Sequence, residues 1–178
     1  MHRCQGVTLL ELMTTLAAIA IVGTLSLPTL SSLRHNALRT AAVNDFFHAL
    51  FFARSEAFKR ADVVSLCKSA DGRTCINRHP DWSAGWIVFA NTDHDEPPVR
   101  DENEGILAVY PAWPGGRITS NRQSYSFRPF NQAVVNGTIL FCDRRGSAEA
   151  RAIIISSTGR PRVSHRASGN KPLRCPAS

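Results

Sequence analysis

A long apolar run near the N-terminus constrains this chain more than any other feature. From Leu12 to Leu33 no residue is charged, and a helix of that length spans roughly 30 Å, the thickness of the hydrocarbon core of a bilayer. Glu11 stands at the start of the run, where a carboxylate in lipid costs about 3 kcal/mol. The run therefore predicts a membrane-inserted helix, and Glu11 predicts a positively charged partner.

A secretory signal peptide is the alternative interpretation of this segment. Such a peptide has a basic start, an apolar stretch and a small-residue cleavage site, and it would leave a mature N-terminus near Ser26 to Ser32. The run is longer than the apolar part of most signal peptides, and Glu11 falls early within it. Both observations favour a helix that is retained.

The residues around Glu11 form a recognisable processing signal. The leader "MHRCQG" contains a basic residue and ends in Gly6, and Glu11 lies four residues after Val7. This arrangement resembles the class III signal of type IV pilins and pseudopilins, although that family usually has Phe at the position of Val7. The resemblance implies that a prepilin peptidase cuts after Gly6, that Val7 becomes N-methylated, and that Glu11 serves in assembly with other pilin subunits.

The cysteine count agrees with removal of the leader. Of five cysteines, cleavage removes Cys4 and leaves Cys67, Cys75, Cys142 and Cys175. Four cysteines can pair completely in an oxidising compartment, in three possible connectivities. We favour Cys67 with Cys75 and Cys142 with Cys175. Zinc is a weak alternative, because there is no CxxC and no histidine at ligand spacing, and we predict no metal site and no cofactor.

The remaining chain divides into an amphipathic helix and a β-rich head. Apolar residues recur every three or four positions, which predicts that the helix continues with one buried face, and Pro28 predicts a kink. After residue 61 short segments rich in Val, Ile, Phe and Tyr alternate with turn residues, which is typical of antiparallel sheets. The predicted buried helix positions are Leu38, Ala42, Phe46, Ala49 or Leu50, Ala53 and Ala57, and the predicted strands are "VVSLC", "GWIVFA", "ILAVYP", "YSFRPF", "GTILFC", "RAIIIS" and "PRVSH".

We therefore predict an α+β protein: a long kinked N-terminal transmembrane helix followed by a β-rich, pilin-like globular head of antiparallel sheets. The expected parts are a leader (1–6), a transmembrane and assembly helix (7–33), its amphipathic continuation (34–61) and a periplasmic or extracellular head (62–178). Two stretches of the head, "DWSAGWIVFANTDHDEPPVRDENEGIL" and "ILFCDRRGSAEARAIIISSTGRPRV", resemble the GspH/FimT family of pilin-like proteins.

Charge is distributed unevenly along the head. Eleven Arg and Lys residues follow Gly105, against only Asp143 and Glu149, and arginine outnumbers lysine eighteen to three in the whole chain. Arginine suits phosphate recognition, although a bias of genome composition would also favour it. Six of the fourteen acidic residues lie between Asp93 and Glu104, a segment that predicts a solvated loop, with weak calcium binding as the alternative.

The stretch "STGRPRVS", residues 157–164, is the strongest candidate for a binding site. Gly159 allows a tight turn, and Pro161 fixes the chain between Arg160 and Arg162, so two guanidinium groups project from a stiff loop. The stretch resembles the DNA-binding motif of FimT minor pilins, which implies that Gly159, Arg160 and Arg162 bind DNA. Charge alone adds the flanking candidates Arg144, Arg145, Arg151, Arg166, Lys171 and Arg174.

The resemblance implies a minor type IV pilin that binds DNA without sequence specificity and supports its uptake in natural transformation. A structural minor pilin or type II secretion pseudopilin that primes fibre assembly without DNA is the alternative. The expected location is the bacterial inner membrane, with the head in the periplasm, and then a pilus or pseudopilus at the cell surface. Scattered serines, acids and histidines match no catalytic motif, so we expect no enzyme.

Overall fold

The structure of the protein is a computed structural model that describes residues 6–76, 81–129, 136–157 and 159–176, with the backbone alone for residues 24–29. The predicted leader lies outside these residues except for Gly6. One α-helix, α1, lies within these residues and runs from Leu9 to Arg60. By internal packing the chain divides into two units, with the boundary between Ala37 and Leu38.

The first unit contains the N-terminal part of α1. Its apolar side chains are exposed, among them Leu10, Leu16 and Ile19. Within the described residues no helix combines the length and the apolar character required to cross a membrane. The membrane-spanning role of residues 7–33 and the kink at Pro28 both stay predictions.

The second unit is built around the C-terminal part of α1. Its buried stripe consists of Ala42, Phe46, Ala49, Leu50, Ala53 and Ala57, the positions that the 3.6-residue period predicts. Leu38 is the exception, since it is 43% exposed. The next residue, Arg39, is 3% exposed. Its charge is paired with the carboxylates of Asp143 and Glu149.

Among the described residues, eight strands follow α1 and form two antiparallel sheets. The first sheet has the order β3-β2-β1-β5, and the second has the order β4-β6-β7-β8. The strands are β1 (Val64–Lys68), β2 (Trp86–Ala90), β3 (Ile106–Tyr110), β4 (Gly116–Ser120), β5 (Ser124–Phe127), β6 (Gly137–Asp143), β7 (Arg151–Ile155) and β8 (Pro161–Ser164). The predicted α+β class, with a long helix and an antiparallel head, is confirmed.

Seven of these strands coincide with the segments predicted from the sequence, and β4 was missed. Its sequence, GRITS, has a single apolar residue, Ile118, which is fully buried. Pairing along β6, from Gly116 opposite Asp143 to Ser120 opposite Ile139, holds this edge strand in place. Tertiary pairing therefore overrides a weak local β-propensity.

The main core joins α1 to both sheets. The ring of Phe46 lies 4.9 Å from that of Trp86, 5.2 Å from that of Trp82 and 6.0 Å from that of Phe141, measured between centroids. Phe46 is completely buried. Aromatic pairs at such distances contribute about 1 kcal/mol beyond the burial of their area.

A buried charge network ties α1 to the end of β6. Nη1 of Arg39 lies 3.4 Å from Oδ2 of Asp143, and the two side chains are 4% and 1% exposed. Arg145 donates to the same carboxylate, with Nη2 2.6 Å from Oδ2. Burial raises the pKa of Asp143, but the hydrogen bonds from Arg145 and the charges of Arg145 and Arg39 outweigh it and leave this pKa below its usual value.

We predict that Asp143→Asn lowers the free energy of unfolding by about 3 kcal/mol at pH 7, because the buried Arg39 loses its buried ionised partner and keeps only the less buried Glu149. Since the pKa of Asp143 is depressed in the folded state, its stabilisation is present above the unfolded pKa of about 3.9 and is lost as pH falls through the folded value. The difference in free energy of unfolding between the variant and the wild type should therefore be smaller at pH 3 than at pH 7.

Urea unfolding in non-ionic detergent, followed by circular dichroism at pH 7 and pH 3, measures both effects. Asp101→Asn, which makes the same change at an exposed position, is the control and should cost less than about 0.5 kcal/mol. An equal loss of stability at the two pH values would contradict the role of the ionised carboxylate.

Candidate functional site

The turn between β7 and β8 places the predicted binding residues. Gly159 has φ of 72°, a left-handed conformation that favours glycine. Its amide donates to the carbonyl of Ser156 at 2.9 Å, and the amide of Ser156 donates to the carbonyl of Arg160 at 3.2 Å. Pro161 then begins β8 opposite Ile155. These bonds hold the backbone of the turn on both sides of Gly159.

Arg160 and Arg162 lie on either side of Pro161 and are both exposed. Within the part of the chain that the structure describes, neither side chain forms an ion pair with a carboxylate. No carboxylate among these residues therefore neutralises them. Two guanidinium groups remain available to an anionic ligand.

Strand register assigns Arg162 to one face of the second sheet. Arg162 is opposite Ile154, which is opposite Thr138, and directly opposed residues point to the same side of a sheet. Ile154 packs with Ala152 and Leu173 rather than with the main core. We call this side of the second sheet, with Thr138, Ile154 and Arg162, the outer face.

Residues 165–176, which we call the tail, cover part of the outer face. The tail is held by the disulfide between Cys142 and Cys175 and by Leu173, which is 7% exposed. The second disulfide joins Cys67 to Cys75. Both bonds follow the connectivity favoured from the sequence.

The tail brings two of the predicted cations to the outer face. A groove of about 610 Å³ runs between the sheet and the tail, and its lining includes Thr138, Leu140, Lys171 and Arg174. Strand register and the tail thus place Arg162, Lys171 and Arg174 on one side of the head. Arg166, also in the tail, is exposed and donates to the carbonyl of Asn170 at 3.3 Å.

Two other predicted cations are engaged inside the head. Arg145 forms the ion pair with Asp143 already described, which raises the pKa of Arg145. Nη1 of Arg151 donates to the carbonyls of Glu149 and Ala150 at 3.2 and 2.9 Å, and burial lowers the pKa of Arg151. We assign both residues to internal contacts. Arg144 is exposed and stays a candidate.

One contact to the turn comes from a residue that the sequence does not single out. Nη1 of Arg54, on α1, donates to the carbonyl of Gly159 at 3.1 Å. The two residues are 105 positions apart, and Arg54 on its own looks like an ordinary solvated helix residue. No pattern in the sequence could have identified this pair.

The acidic segment uses its carboxylates to fold itself. Glu104 is 2% exposed and accepts hydrogen bonds from the amides of Thr92 at 2.7 Å and Asp101 at 3.1 Å. Asp95 accepts one from the amide of Val99 at 2.8 Å. Over the described ranges no three His, Cys, Asp or Glu side chains are grouped so that they could hold a metal ion. These residues therefore give the calcium alternative no support.

The processing residues lie at the start of α1. Gly6 and Val7 precede the helix and are exposed. Glu11 lies in the first turn of α1, and its amide lies 3.3 Å from Oγ1 of Thr8. A carboxylate in this position is favoured by the helix dipole.

Comparison with known proteins identifies the family. Residues 42–159 match the family described as type II transport protein GspH, and residues 1–27 match the prokaryotic N-terminal methylation motif. Since the first match spans more than half of the chain, the protein belongs to the GspH family of pilin-like proteins. The N-terminal match implies processing by a prepilin peptidase and assembly with other pilin subunits. No curated protein matches the chain.

Two solved structures share the fold. Both are crystal forms of the type IV minor pilin FimU from Pseudomonas aeruginosa. One is 17% identical, with a TM-score of 0.55, and the match covers 76% of this chain and 98% of that chain. The other is 20% identical, with a TM-score of 0.53 and coverage of 79% and 96%. At this identity the likeness shows the fold alone.

Proposed function

We propose that this chain is a minor type IV pilin whose head binds DNA through the turn between β7 and β8. The observation that carries the proposal is the pair of exposed guanidinium groups of Arg160 and Arg162, on either side of Pro161. The turn that presents them is held by hydrogen bonds to Ser156. A turn that is already ordered loses less conformational entropy when it binds.

Local charge supports an anionic partner. Residues 156–176 contain four arginines and one lysine and no acidic residue. Arginine offers a planar fork of donors that matches phosphate oxygens, and each phosphate contact releases condensed counterions from the duplex. The natural role that fits such binding is DNA uptake in transformation.

The proposed binding is independent of base sequence. Contacts to phosphates position a protein on DNA but carry no sequence information. Trp113, an aromatic residue between β3 and β4 that would have to be exposed to stack on bases, is 8% exposed and belongs to the main core. The proposal therefore rests on phosphates, and the affinity should fall steeply with salt.

The second candidate function is a structural minor pilin or type II secretion pseudopilin that supports fibre assembly without binding DNA. The match to the family described as type II transport protein GspH favours it. Both candidates share the N-terminal signal and the fold. They differ only in what the arginines of the turn contact.

The remaining proposals concern the N-terminus. We propose that the leader (1–6) is removed after Gly6, that Val7 is N-methylated, and that Glu11 pairs with a new N-terminal amine during assembly. Residues 7–33 would lie in the inner membrane before assembly, followed by the helical continuation (34–61) and the head (62–178). The assembled fibre would then carry the head outside the membrane.

Replacing Arg160 and Arg162 together by Gln should strongly weaken the mobility shift of duplex DNA by the full chain in non-ionic detergent and leave a residual affinity that can be measured at low salt. Two lost phosphate contacts reduce the slope of log affinity against log salt by about 1.8. The melting temperature should stay the same, because exposed substitutions change stability by less than about 0.5 kcal/mol.

The matched control replaces two cations beside the first sheet. Arg73 is exposed and follows β1, and Arg128 is partly exposed, follows β5 and pairs with the exposed Glu96. The variant Arg73→Gln with Arg128→Gln has the same net charge as the turn variant and should bind like the wild type. Unchanged binding by the folded turn variant would reject the assigned site, and no binding by the wild type would favour the structural pilin.

Mass spectrometry of the mature protein from its native host tests the N-terminal proposals. The expected N-terminus is Val7 carrying one additional methyl group. A chain that still begins at Met1, or one that begins near Ser26 to Ser32 as a signal peptide predicts, would contradict them.

A further inference from the structure

We propose that Arg54 is a positioning residue of the DNA-binding turn: from α1 it holds the carbonyl of Gly159 and thereby fixes the directions of Arg160 and Arg162. This inference rests on the proposed function. It assigns a role to a residue of the helix, outside the segment whose composition points to DNA.

The contact satisfies a polar group that burial would otherwise penalise. Gly159 is buried, and a buried carbonyl without a donor costs about 1 to 3 kcal/mol. Nη1 of Arg54 supplies that donor at 3.1 Å. A hydrogen bond from a charged donor is roughly twice as strong as one between neutral groups.

Arg54 lies at the edge of the buried face of α1. Its neighbour Ala53 is completely buried, and Leu50, one helical turn earlier, is 1% exposed. Arg54 itself is half-buried. Among the described residues it forms no ion pair with a carboxylate, so no acid competes with the carbonyl of Gly159 for it.

The bond acts on the backbone immediately before Arg160. The carbonyl of Gly159 belongs to the same peptide unit as the amide of Arg160, and that amide donates to Oγ of Ser156 at 3.2 Å. One peptide plane is therefore held from two sides, by α1 and by the end of β7. Because a peptide unit is planar, fixing its carbonyl also fixes the direction in which the chain enters Arg160.

The test compares Arg54→Met with Arg60→Met in the full chain in non-ionic detergent. Arg60 is exposed, lies on the same helix, and has its Nε 3.0 Å from Oε2 of Glu56. The two variants therefore lose the same charge from the same element. We expect Arg54→Met to bind duplex DNA about tenfold more weakly, equivalent to about 1.4 kcal/mol, and Arg60→Met to bind within about twofold of the wild type.

The salt dependence distinguishes positioning from direct contact. A positioning residue touches no phosphate, so the slope of log affinity against log salt for Arg54→Met should equal that of the wild type. A direct contact would reduce the slope by about 0.9. In a chain that already carries Arg160→Gln and Arg162→Gln, Arg54→Met should cause no further loss of binding, because it acts through those two side chains.

Hydrogen exchange of the unbound chain separates this inference from the proposed function. Arg54→Met should accelerate exchange of the Gly159 and Arg160 amides, and Arg60→Met should not. The role of Arg54 would be overturned by equal exchange of the Gly159 and Arg160 amides in the two variants or by equal DNA affinities of the two variants. A reduced salt slope for Arg54→Met would also overturn it. If the wild type binds no DNA, the proposed function fails, whereas the exchange rates still show whether Arg54 holds the turn.

Discussion

The structure of the head depends on the burial of one aromatic side chain, Phe46 of α1. Its ring meets Trp86 and Tyr125 of the first sheet and Phe141 of the second. The two sheets have separate hydrogen-bonded ladders, and side-chain packing around this ring joins them to α1. Loss of such a ring costs about 3 to 5 kcal/mol, a large fraction of the stability of an ordinary domain.

The same core determines where the candidate site lies. In β7, Ile153 and Ile155 pack in the main core with Phe46, whereas Ala152 and Ile154 pack against the tail. A shift of one residue in this strand would exchange the two faces. Burial of the isoleucines therefore specifies the register that places Arg162 on the outer face. Strand β7 therefore links the hydrophobic packing inside the head to the position of Arg162 on its surface.

The sequence predicted most of the fold, because the second half of α1 buries a regular apolar stripe and seven strands are rich in Val, Ile, Phe and Tyr between turn residues. It missed β4, whose place depends on pairing with β6. Charge alone made Arg145 and Arg151 flanking candidates for DNA binding, and composition does not reveal that they also bind Asp143 and main-chain carbonyls. Arg54 was missed for a related reason: its partner is a backbone carbonyl, which leaves no signature in the sequence.

Arginine footprinting tests the central claim, that DNA binds the arginines of the turn and the outer face. The full chain in non-ionic detergent is modified with phenylglyoxal with and without a duplex, and the extent of modification at each arginine is read by mass spectrometry. We expect DNA to protect Arg160 and Arg162 from modification and to leave the modification of Arg73 and Arg128 unchanged. Equal modification of Arg160 and Arg162 with and without DNA, or protection confined to Arg73 and Arg128, would contradict it.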